Sequence, residues 1–284
     1  MPRFNLEIAR ALDVTTPLQL KTRISDGRLL VRGNEVPTAS VRVKLQIRAA
    51  DREEADAEAK RFEERISFDG TTLAIESPDS AIGFWRRGHV RAEYEVAVPR
   101  QTRAELRQAN GPLSVSGLAG PLKVDLNNGP VSIEGMDGAA SIHVVNGPTD
   151  IKDCGSELDV NVVNGPLRIR NARGPVSLDL TNGPIYVEDV DLGLKANVLN
   201  GVLTYRGPVG GDFDLTVNNG SLDLHLPTSS RFELDAEATR GSVESDFRVD
   251  EGTVAPEGAH ALRLRAVQGN IRIAETRRGA FAFA

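Results

Sequence analysis

The chain has 284 residues, with 34 basic and 40 acidic side chains and a net charge of -6. Hydrophobic residues at 40% and charged ones at 26% exclude wholesale disorder, and the acidic balance argues against a nucleic-acid backbone as the main partner. One cysteine, Cys154, excludes an intrachain disulfide and a multi-cysteine zinc site.

Glycine is abundant at 27 residues while aromatics reach 5%. That combination favours many turns and thin aliphatic strands. The N-terminal stretch MPRFNLEIARALDV lacks the apolar run of a signal peptide, and no window approaches the roughly 18 apolar residues of a membrane span. No transmembrane segment is expected. The chain as it stands reads as cytoplasmic, or as an envelope or surface protein if a secretion signal has been removed.

Residues 1–25 are expected to form a lead-in, and residues 26–109 a set of irregular first coils. Strands are predicted at 41–47, 73–75 and 90–98 from alternating apolar residues. Between them the pattern predicts a helix over 51–65, with Asp51 and Glu54 as a capping pair. Ala55, Ala59, Phe62 and Ile66 line one side of it, enough to cover a sheet end or flank. Before the strand at 90, Phe84, Trp85, Arg86 and Arg87 form a basic aromatic cluster. Trp and Arg are enriched at binding hot spots, so this loop is a candidate for docking a partner or an anionic headgroup; the other reading has Trp85 covering core.

The next segment, 110–226, is periodic. Asn-Gly recurs at Asn110, Asn128, Asn146, Asn164, Asn182, Asn200 and Asn219, spaced by 18 residues and, at the last step, 19. Each unit splits into two halves of nine, such as GPLSVSGLA and GPLKVDLNN. The third and fifth columns are apolar almost throughout, and the second half adds Leu126, Val144, Val162, Leu180 and Val198 at its seventh. Apolar positions at period two make a strand with one buried face. In the first half the inward residue moves to the eighth column, at Leu118, Met136, Cys154, Ala172 and Val190. That shift requires a bend, and Gly117, Gly135, Asp153, Asn171, Asp189 and Gly207 supply turn-tolerant residues for it.

A unit this short buries its apolar face only against copies of itself. The expected fold is all-β: a single-chain parallel β-helix or solenoid, about 18 residues per turn in its regular part. Right-handed winding follows the rule for parallel crossovers. The Asn-Gly corners would stack as a ladder of asparagines. A hexapeptide helix is excluded by the nine-residue sub-period, and a calcium β-roll by the missing Asp column. Residues 227–284 are expected to hold longer C-terminal coils, with strands at 232–237, 241–247, 262–266 and 270–274 and a frayed tail or short last strand. One continuous solenoid domain is the expectation.

The outward columns alternate in charge: Asp150 neighbours Arg168, and Arg170 and Arg206 flank Glu188. Such pairing marks a solvated face. Asp125 beside His143 is the one pair with acid–base potential, and no nucleophile or metal partner completes it. Cys154 reads as a small buried hydrophobe. No phosphate-loop motif follows a strand, and neither a metal nor a cofactor is expected.

This layout resembles a bacterial family of β-strand-repeat "putative adhesins", related to head-GIN domains. The shared features are Tyr94-Glu95-Val96-Ala97-Val98-Pro99, the step to Asn110-Gly111, the repeated corners, LDLHLPTSSRFELDAEATRGSVESDF and AVQGNIRIAE. The resemblance implies a non-enzymatic surface, stress-response or adhesion-like module on a β-helix. The functional expectation is a binding or scaffold module whose partner is an unknown protein, glycan or envelope component. The alternatives are end-to-end self-assembly of the bactofilin type, against a monomer, and a carbohydrate-active β-helix enzyme.

Overall fold

Alternation of apolar and polar residues becomes strands throughout the computed structural model, which describes residues 1–14, 17–78, 90–247 and 259–276. The chain divides into two compact units, residues 1–145 and 146–284.

The first unit contains β1 (Arg3–Asp13), β2 (Gln19–Asp26), β3 (Arg28–Asn34), β4 (Thr38–Arg48) and the helix α1 (Arg52–Glu63). It continues with β5 (Ile66–Phe68), β6 (Thr72–Glu76), β7 (Val90–Pro99), β8 (Arg103–Asn110) and β9 (Leu113–Ser116). Then come β10 (Leu122–Asn128), β11 (Val131–Met136) and β12 (Ala140–Asn146). One sheet runs β1-β4-β7-β3-β9-β11, and a second runs β5-β6-β2-β8-β10-β12. The segment expected as a lead-in is therefore two strands. Leu18, Leu20, Thr22 and Ile24 alternate inward, and Asp26-Gly27 stands where later coils have Asn-Gly, with Asp26 in register with Asn110.

The coil β2–β3 is sandwiched between coils made later in the chain. Leu20 lies beside Leu73 on one side and Ala104 on the other, and Val31 lies between Val96 and Val115. Beyond β7 the pairing turns antiparallel, through β4 to β1. The helix caps this end. Asp51 accepts from the Glu54 amide, and Glu54 reaches back to the Ala50 amide, one residue before the N-cap. Ala55 and Phe62 are buried and Ala59 half-buried. Arg10 of β1 holds the helix C-terminus through the Glu63 carboxylate and the Ile66 carbonyl.

The second unit holds β13 (Thr149–Cys154), β14 (Leu158–Asn164), β15 (Leu167–Ala172), β16 (Val176–Asn182), β17 (Ile185–Val190) and β18 (Gly193–Asn200). After these come β19 (Leu203–Arg206), β20 (Asp212–Asn219), β21 (Leu222–Pro227), β22 (Phe232–Arg240), β23 (Val243–Ser245), β24 (His260–Gln268) and β25 (Ile271–Thr276). Odd strands up to β21 form one sheet and even strands the other, all parallel, residue over residue: Leu167 over Ile185, Ile185 over Leu203, Leu203 over Leu222. Here too the end is out of sequence. β24 lies between β20 and β22, with Leu264 beside Leu215 and Ala236, and β25 lies between β21 and β23. The expected tail, 277–284, falls outside the described residues.

Both units are β-solenoid in construction, and the inward columns are buried as their pattern requires. In the turn 158–172, Leu158, Val160, Val162, Leu167, Ile169 and Ala172 all lose their solvent contact, each large aliphatic contributing about 1.5–3 kcal/mol. The 19-residue interval leaves the strands in register, since Asn200 pairs with Asn219. Its extra residue is absorbed in the corner between β19 and β20.

The two kinds of bend have different physical demands. At the Asn-Gly corner, Gly165 has φ 144°, and a Cβ there would lie 2.2 Å from the Gly147 carbonyl oxygen of the adjacent turn. At the mid-turn bend, Asp153, Asn171 and Asp189 adopt φ of 56°, 57° and 54°, and Gly135 adopts 67°. A Cβ at Gly135 meets nothing closer than 3.8 Å. Gly165→Ala is therefore expected to cost about 3 kcal/mol, and Gly135→Asn to stay within about 1 kcal/mol. Thermal unfolding followed by circular dichroism checks both.

Candidate functional site

The corner asparagines are exposed and linked side chain to side chain. In the first unit Asn128 donates its Nδ2 to the Asn110 Oδ1 at 3.0 Å, and Asn110 donates to Asp26 at 2.9 Å. In the second, Asn164 donates to Asn146, Asn182 to Asn164, Asn200 to Asn182 and Asn219 to Asn200, all at 2.8–2.9 Å. Within each unit an amide donates to the preceding turn and accepts from the following one, so each ladder is a chain of polarised dipoles. Gln268 and Arg240 stand in register at its C-terminal end.

The outward columns engage in the same way. Asn197 donates to Asp179 at 3.0 Å, and Asn171 to Asp153 at 2.8 Å. That Asn171 bond, followed by the nearby Lys152 and Arg173 charges, lowers the Asp153 pKa. Arg170 reaches diagonally to Asp150 at 3.0 Å, while Arg168 leans over the Tyr186 ring, 5.8 Å from its centre. On the outer face of β1, β4 and β7, Arg42 joins Glu7 to Glu95, and Lys44 also binds Glu95.

Asp125 lies 3.7 Å from the Arg107 Nε, which gives that carboxylate a cationic neighbour. His143 is exposed on β12. Among the described residues, no group of His, Cys, Asp and Glu has the geometry to hold a metal ion. No described helix is long and apolar enough to cross a membrane. Phe84, Trp85, Arg86 and Arg87 fall outside the described residues.

Two open grooves mark the first unit. The larger, about 600 Å³, is lined by Pro17, Val36, Pro37, Pro99 and Arg100. Its arginine is held by Glu35 at 2.8 Å and Asp137 at 2.6 Å. The other, about 510 Å³, follows the outer face of β1, β4 and β7. The larger groove is lined by loops and strand ends that no periodicity marks, and the second depends on β1, a strand in the segment expected as a lead-in. The signal was available in the alternation of Phe4, Leu6, Ile8 and Leu12.

Cys154 is 3% exposed and in register with Ala172. Burial pushes its thiol up to about 11, with a smaller contribution from Asp153. The unfolded thiol ionises at its ordinary 9.0 while the folded one stays neutral. Its contribution to stability is thus complete below pH 9.0 and is lost as pH rises to about 11. Native protein should leave Cys154 unlabelled by maleimide near neutral pH, whereas urea-unfolded protein should label promptly; equal rates would show the inward column to be open.

The model of the Toastrack DUF4097 family matches residues 38–274. No curated protein gives a significant match. Among solved structures, a "putative cell adhesion protein" from Clostridium sporogenes is 14% identical, with a TM-score of 0.30, covering 96% of this chain and 100% of its own. A "putative adhesin" from Bacteroides fragilis is 10% identical, with a TM-score of 0.37, covering 95% of this chain and 97% of its own.

Proposed function

The chain belongs to the Toastrack DUF4097 family, and from that premise and the geometry of its faces we propose a non-catalytic β-solenoid module that binds or scaffolds an extended envelope polymer. The observation that carries this reading is the mutual engagement of outward side chains: Asn182 with Asn164, Asn197 with Asp179, Arg170 with Asp150. Groups tied to their neighbours along the stack are pre-organised for a ligand that runs along it. Such groups do not converge on one reacting atom, as catalysis requires. Along the asparagine column, rungs spaced by about 4.8 Å present the same amide at each step from Asn146 to Asn219, which suits a repeating ligand better than a small molecule. The enzyme alternative has little to build on. A glycosidase needs two carboxylates about 5–9.5 Å apart across a cleft, and Asp125, the acid singled out for that role, faces Arg107.

Co-sedimentation with purified peptidoglycan sacculi, combined with a reducing-end assay, tests the reading. The expected result is protein in the pellet without release of reducing ends. Protein left in the supernatant overturns the polymer-binding role. Release of reducing ends that disappears in an Asp125→Asn, His143→Ala variant overturns the non-catalytic one.

A further inference from the structure

β1 is the outermost strand of its sheet, and it pairs with β4 along its full length. The Ala49 amide bonds the Pro2 carbonyl, which fixes the phase of this antiparallel ladder. Even-numbered residues of β1 exchange hydrogen bonds with β4, and Arg3, Asn5, Glu7, Ala9, Ala11 and Asp13 direct their N–H and C=O groups to the open side. Among the described residues nothing bonds these backbone groups.

Outermost strands are usually shortened or defended by charge, proline or a bulge. β5 and β23 have three residues each, and β22 places Glu233, Asp235 and Glu237 on alternate positions. β1 has eleven residues without proline or lysine, and its charges, Arg3, Glu7, Arg10 and Asp13, are spaced apart and of both signs. Its sequence, RFNLEIARALD, also places opposite charges at its two ends and apolar residues one step inside them. With Ile8 on a two-fold axis, Arg3 stands opposite Asp13 of a second copy, Phe4 opposite Leu12, Asn5 opposite Ala11, Leu6 opposite Arg10 and Glu7 opposite Ala9. Every open backbone group then finds a partner, and no like charges meet. Moving the axis to Glu7 opposes two glutamates, and moving it to Ala9 leaves Arg3 unpaired.

We propose that β1 is a homodimerisation edge, joining two copies antiparallel about Ile8 through backbone pairing and reciprocal Arg3–Asp13 contacts. The interface is isologous and closes on itself, giving a dimer and not a filament. It is independent of any polymer bound along the solenoid faces.

Light scattering across a concentration series tests this. Mass should rise from 30.6 kDa to twice that value and stop there. Ala9→Pro removes an N–H that points to the open side, so it should abolish the dimer while β1 stays on β4. Arg3→Asp opposes two carboxylates at each end and should weaken dimerisation about tenfold; the Arg3→Asp, Asp13→Arg double variant should restore it. Circular dichroism melting verifies that each variant is folded. A monomer at all concentrations, growth into fibres, or a dimer indifferent to the charge reversal and its rescue would overturn the proposal.

Discussion

Parallel pairing of one turn on the next, residue over residue, is the constraint from which the rest of this structure follows. Because Leu167 must sit on Ile185 and Ile185 on Leu203, each residue has to suit the ones directly above and below it. Inward columns stay buried although their members vary in size, from Met136 to Ala172, and an outward column of one charge would repel itself. The asparagine column is the sharpest expression of this rule. Its members each supply one donor and one acceptor, so identical residues can stack without limit. The same rule drives backbones together at the corners. At Gly129, as at Gly165, an added Cβ would lie 2.2 Å from a carbonyl of the adjacent turn.

The repetitive part was legible in the sequence because periodicity reports directly on this constraint. The shift of the inward residue from the seventh column to the eighth pointed to a bend, and the bend residues Asp153, Asn171 and Asp189 have the positive φ such a bend needs. The flanks were harder because they answer to different neighbours. β1 pairs antiparallel outside the coil repeat, so its alternation was not set against a column. Gln108 occupies the place taken by Leu126 one turn later and is buried, its Nε2 donating to the Gly27 carbonyl at 2.9 Å. A polar residue in an aliphatic column is invisible to periodicity, since its purpose is to bridge two corners. The out-of-order coils at both ends were equally hidden, because strand patterns give no information on which strands become neighbours.

Function was legible to a lesser degree, and the reason is again physical. Catalytic sites announce themselves through side chains whose environments conflict, such as buried acids or unpaired bases. Among the described residues, Cys154, Tyr94 and Tyr205 are buried and their pKa values are raised chiefly by desolvation, which holds them neutral. Several outward groups are instead tied to neighbours along the stack, as Asn182 is to Asn164 and Arg170 to Asp150. A sequence records the spacing of such groups without naming what is to be measured against it.

The out-of-sequence ends also set an order of events during translation. In the first unit the outer coil β6–β7 is complete once residue 99 has been made, before β8 begins to build on the other side of β2. All the strands of that outer coil are therefore synthesised before the rungs on the other side of β2. In the second unit β22 and β23 leave the ribosome before the strands that hold them. Their neighbours in the sheets are β24 and β25, synthesised last. A nascent chain halted after residue 247 would therefore carry a terminal rung with no bonding partner, and the final strands act as a keystone slipped in beneath it.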